Sequence, residues 1–87
     1  MSAVEDVAFV KRGKNRATVF RTLTKPSMPS ELVKIIYGKT SNTHFNIVSR
    51  ALAELTKEKL VKILNKDAKT GRMYCKTKRG LAVDKQL

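Results

Sequence analysis

The sequence predicts a small α+β fold: three helices preceded by a short N-terminal strand and followed by a two-stranded β-hairpin and a short C-terminal helix. Three observations carry this. Apolar residues recur at helical spacing through the centre of the chain, most clearly at Phe45, Val48, Leu52 and Leu55. Two short apolar runs, LVKIL and MYCKT, flank a polar segment containing Gly71, the pattern of a hairpin with a long turn. Finally, 87 residues supply enough apolar surface for one core, so residues 1–87 are expected to form a single domain.

Taken in order, Val7 to Val10 reads VAFV, a β-branched and aromatic run expected to form the first strand. Beyond Gly13, KNRATVFRTL places Ala17, Val19, Phe20 and Leu23 on one face, predicting a helix that ends before Pro26. Pro29 suits the first position of a second helix, because its fixed φ is helical and its missing N–H had no partner there. Glu31 favours the positive end of that helix. Met28, in the cap position, carries no acceptor oxygen, so the capping box is incomplete at a cost of about 1 kcal/mol. Leu32, Ile35 and Ile36 are expected to be its buried face, and Gly38 its left-handed stop. KTSNT is then a turn in which Thr40, Ser41 or Asn42 can cap a long helix reaching Lys59. Two helices so joined make a helix-turn-helix. The hairpin follows, with a basic tip, and LAVDKQL is expected to add one or two helical turns. This order is that of a winged helix-turn-helix, with the hairpin as the wing.

Nineteen Lys and Arg against seven Asp and Glu leave a net charge of +12, which favours a polyanionic partner. The excess is concentrated: residues 11–25 carry +6 and residues 57–79 carry +7, on either side of a nearly neutral centre. Cys75 is the only cysteine, which excludes an intrachain disulfide and a thiolate zinc site, and His44 alone cannot hold a metal. No window approaches the ~18–20 apolar residues of a membrane span, and the first residues lack the features of a signal peptide. A cytoplasmic, nucleoid-associated location is the expectation. No Ser/His/Asp arrangement, metal-ligand cluster or glycine-rich phosphate loop is present, so neither an enzyme nor a cofactor is expected, and no small-molecule ligand is evident.

Four segments, FVKRGKNRATVFRTL, KPSMPSELVKII, VSRALAELTKEKLVKIL and NKDAKTGRMYCKTKRG, together resemble the archaeal winged helix-turn-helix transcription regulators related to the MarR and ArsR groups. The resemblance covers about residues 7 to 80. It implies the same fold, double-stranded DNA as partner, and dimerisation as one option, through the N-terminal strand or the last helix. The sequence departs from that pattern at Met28, where Thr is usual, and in a longer connection from Ile36 to Val48. Only seven residues follow Gly80, where such regulators commonly carry longer dimerising helices.

Recognition would divide between base edges, which give specificity, and phosphates, which give affinity. Asn46 and Arg50 are the foremost candidate base readers, since Asn pairs bidentately with adenine and Arg with guanine. His44 and Thr43 can donate to bases or phosphates, and Ile47 can meet a thymine methyl or be buried. Ser30, Ser41 and Asn42 stand at helix starts, where phosphates bind, although Ser41 and Asn42 also suit capping. Lys66, Lys69 and Arg72 lie at the hairpin tip, with Arg72 placed to enter a narrow minor groove. Two other readings fit the same composition: a sequence-independent DNA architectural or RNA-binding protein, and an adaptor whose fold binds a protein.

Overall fold

The computed structural model describes residues 3–69 and 71–87; Thr70, in the expected polar turn, lies outside the described residues. The elements are α1 (Ala3–Arg12), α2 (Lys14–Thr22), α3 (Pro29–Tyr37), α4 (Asn42–Lys57), β1 (Val61–Ile63), β2 (Tyr74–Lys76) and α5 (Lys78–Asp84). It is an α+β arrangement of five helices and one two-stranded antiparallel sheet.

The expected strand at Val7–Val10 is not formed; these residues lie inside α1. A short apolar run does not distinguish strand from helix by itself, and here the flanking charges favour the helix. Glu5 and Asp6 occupy the first turn and Lys11 and Arg12 the last, matching the helix dipole at both ends. Asp6 and Val10, four residues apart, are buried, with Val7 and Phe9 packed beside the core. The number of helices is therefore larger than the sequence predicts.

Helix α2 starts one residue after Gly13 and buries Val19 and Phe20, with Leu23 as its C-cap. Helix α3 begins at Pro29 as expected, and the Met28 N–H donates to the Glu31 carboxylate at 2.8 Å. The Met28 side chain makes no capping hydrogen bond. The buried face of α3 is Leu32 and Val33, with Ile36 and Tyr37 packed at its edge. Ile35 was expected inside but is 64% exposed, because that face runs along positions 32, 33, 36 and 37 and leaves 35 outside. Gly38 closes α3 at φ 76°, a conformation suited to glycine.

Helix α4 forms the centre of the core through Val48, Ala51, Leu52 and Leu55. Phe45, the first member of the predicted stripe, is 44% exposed at its edge. Ala51 takes its place in the buried row. After α4 the chain turns through Lys59, at φ 62°, and enters β1 behind the buried Leu60.

Val61 pairs with Lys76, Lys62 with Cys75 and Ile63 with Tyr74. Beyond the strands, the Asn65 side chain clips the turn, donating to the Gly71 carbonyl at 3.1 Å and accepting from the Met73 N–H at 2.7 Å. Ser27, just before α3, adds a bridge to the sheet by exchanging two hydrogen bonds with Tyr74, at 3.0 and 2.9 Å. The hairpin is thus fastened to the start of α3. Tyr74 packs on the core, and Cys75 is half-buried with a free thiol.

An ion pair joins α1 to α5. Arg79 on α5 donates two hydrogen bonds to the Asp6 carboxylate on α1, at 2.7 and 2.6 Å. These bonds hold the Asp6 carboxyl below its ordinary value of 3.8, against the opposing effect of its burial. Among the described residues, no helix is long and apolar enough to cross a membrane.

Candidate nucleic-acid interface

The turn between α3 and α4 places the beginning of α4. Four residues, 38–41, separate the two helices. Ser41 is the N-cap: its hydroxyl accepts from the His44 N–H at 3.1 Å. The His44 ring stacks on Tyr37 at 3.9 Å and 4°, and its Nδ1 is buried without a partner. His44 therefore ties α4 to the end of α3, turned away from the outward side of the helix.

That outward side carries the other predicted residues. Asn42, Thr43, Asn46 and Arg50 are all exposed, while Ile47 is half-buried. The period of 3.6 residues sets Asn46 and Arg50 on one ridge opposite the buried Val48 and Leu55. Among the described residues, no side-chain hydrogen bond or ion pair engages Asn46 or Arg50. Their polar groups face solvent uncommitted.

A groove lies on each side of this ridge. On one side, Thr43, Asn46, Ile47 and Arg50 face the start of α2, where Gly13, Lys14 and Asn15 complete the wall. Arg16, also in this wall, is committed elsewhere: it stacks over the Phe9 ring at 3.9 Å, donates to the Phe9 carbonyl and reaches Glu54 at 3.4 Å. Lys14 and Arg50 are the exposed cations of this groove.

On the other side, Ser30 at the start of α3, Phe45 and Ser49 on α4, and Lys69, Gly71 and Arg72 of the hairpin line a second groove, with Met28, Pro29 and Tyr74. Ser30 also borders a smaller depression with Ser41, Asn42 and Phe45. The Ser27–Tyr74 bridge accounts for the closeness of hairpin and helix start. Arg72 is exposed, and its Nε donates to the Ala68 carbonyl at 3.1 Å, which holds the guanidinium against the turn. Lys66 and Lys69 stand exposed in the same turn.

No family model, curated protein or solved structure matches the chain. The functional reading accordingly rests on the site. Of the predicted residues, Thr43, Asn46, Ile47 and Arg50 come together in the first groove, and Ser30, Lys69 and Arg72 in the second. Four residues escape sequence reasoning: Lys14 and Asn15, whose only signal is the basic run 11–25, and Phe45 and Ser49. Ser49 had no signal beyond its position one turn after Phe45. Among the described residues there is no group of His, Cys, Asp and Glu able to hold a metal ion.

Proposed function

We propose that the chain is a winged-helix regulator of transcription that binds double-stranded DNA sequence-specifically, with α4 in the major groove and the hairpin on the backbone or in the minor groove. The observation that carries this reading is the uncommitted Asn46 and Arg50 ridge, flanked on both sides by grooves with exposed cations. A helix about 10–12 Å across fits the major groove, and side chains in its first turns meet base edges there. Lys14 on one flank and Lys69 and Arg72 on the other would follow the two phosphate walls, while the starts of α3 and α4 offer N–H groups to phosphate oxygens. The residue-level resemblance to winged helix-turn-helix regulators supports the same assignment.

The net charge of +12 also favours a second reading, binding to duplex DNA or RNA without regard to sequence. One experiment separates the two. The protein is used to select from random duplex DNA near physiological salt, and the enriched duplex is titrated against a scrambled duplex and a structured RNA. The regulator reading expects a motif bound about a thousandfold more tightly than the scrambled duplex. Equal affinity for every duplex, with steep salt dependence, rejects it in favour of the second.

A further inference from the structure

We infer that Phe45 reads the C5-methyl group of a pyrimidine in the major groove, an inference that rests on the DNA-binding reading above. Phe45 is 44% exposed, and it is the exposed large apolar side chain of α4; the others among the described residues, Val4, Ile35, Leu64 and Leu81, lie outside that helix. Local structure does not account for it. An apolar residue at this fourth helical position often packs on an apolar residue just before the N-cap, but that position holds Thr40. Asn42, three residues earlier, and Ser49, four later, share its side of the helix. It faces the groove between the start of α3 and the hairpin, beside Met28, Pro29 and Tyr74.

In a duplex the base faces are stacked away, so a groove-bound phenyl ring can meet only base edges. The apolar feature of those edges is the C5-methyl of thymine, and 5-methylcytosine presents the same group at the same place. Phe45, on the opposite flank of α4 from the half-buried Ile47, offers the larger accessible apolar surface. A phenyl ring beside Asn42, on the flank next to the Asn46 ridge, would add discrimination by burial where hydrogen bonding gives none, since a methyl has nothing to donate or accept.

The test uses the full chain and the duplex enriched by selection. Each thymine is replaced in turn by uracil, which removes only the methyl, and each cytosine by 5-methylcytosine, which adds one. At one thymine the uracil duplex should bind about fourfold more weakly, the worth of one buried methyl. If the contacted position is a cytosine, methylation there should strengthen binding by a similar factor. Phe45→Ala should abolish that methyl sensitivity while lowering the melting temperature by only several degrees, so that the protein is folded in the assay, and Phe45→Leu should retain part of it. An enriched site at which no methyl matters, or a methyl effect that survives in Phe45→Ala, overturns the assignment to Phe45 and leaves DNA binding intact. If no duplex is enriched, both the DNA-sequence reading and this inference fail together.

Discussion

Arg50 and Lys69 are both exposed cations, yet on the proposed DNA-binding reading their surroundings would give them different work. Arg50 projects from the outward ridge of α4 beside Asn46, where its planar fork can meet the O6 and N7 of guanine. Lys69 stands on the hairpin turn, where a point charge can neutralise a phosphate of any sequence. Arg50→Ala should therefore lose roughly 1–3 kcal/mol of discrimination at one base pair, against a small change at the others. Lys69→Ala should weaken every duplex alike and lower the slope of log affinity against log salt by about one. Binding measured on a panel of single-base variants at two salt concentrations checks both, and indistinguishable behaviour of the two variants would contradict the division. At this scale the sequence is a good guide to the exposure of Asn46 and Arg50, which lie opposite the buried stripe, and a poorer one to His44, which the end of α3 covers. It is a poor guide to stripe edges. Phe45 and Ile35 are apolar and at plausible spacing, but whether an edge position is covered depends on the neighbouring element, which spacing does not contain.

At the scale of the elements, α5 is pinned against the start of β1, and the close approach requires a glycine. The Thr77 hydroxyl caps α5 by accepting from the Gly80 N–H at 3.1 Å and donates to the Lys59 carbonyl at 2.8 Å, while the Thr77 N–H bonds the Leu60 carbonyl at 3.1 Å. This brings Gly80 so near β1 that an added Cβ would lie 2.1 Å from the Leu60 carbonyl oxygen. That obstacle is backbone and cannot swing aside. Gly80→Ala should cost about 2–3 kcal/mol, which for a chain of this length lowers the melting temperature by roughly 10–20 °C. Leu81→Ala, at an exposed neighbouring position, should move it by only a few degrees; equal shifts in a thermal melt would refute the close approach. The sequence marks Gly80 only as the lead into a last helix, since a contact with a residue twenty positions earlier has no local signature. The same limit explains α1. Its acid-first, base-last charge order signals a helix, but a strand-forming VAFV competes with it, and the contact of Asp6 with α5 that favours the helix is 73 residues away. By contrast α3, α4 and the hairpin declare themselves through Pro29 and Gly38, the cap candidates Thr40, Ser41 and Asn42, and Gly71, all local devices.

The molecule as a whole is closed by the Asp6–Arg79 pair, which joins the first helix to the last across a chain that otherwise repels itself at +12. The Asp6 carboxylate is almost wholly covered and accepts two hydrogen bonds from Arg79, which favour its charged form. An amide in place of the covered carboxylate weakens two charge-assisted hydrogen bonds from Arg79, which are stronger than bonds between neutral groups. Asp6→Asn should lower the melting temperature at neutral pH by more than about 5 °C. The pH dependence follows from the direction of the shift. The folded carboxyl lies below its ordinary value of 3.8, so the unfolded chain binds the proton more readily. The contribution is fully present above that ordinary value and is lost as pH falls through the lower folded value. Melting curves recorded from about pH 6 to pH 2 should show wild type and Asp6→Asn well separated at the upper end and converging below the ordinary carboxylate range. A separation that stays constant to the lowest pH would mean that the substitution acts through packing and that the ion pair does not close the fold. Because Asp6 and Arg79 lie on α1 and α5 and not on the ridge of α4, this loss of stability should leave unchanged any base preference that the proposed DNA-binding reading gives the folded protein.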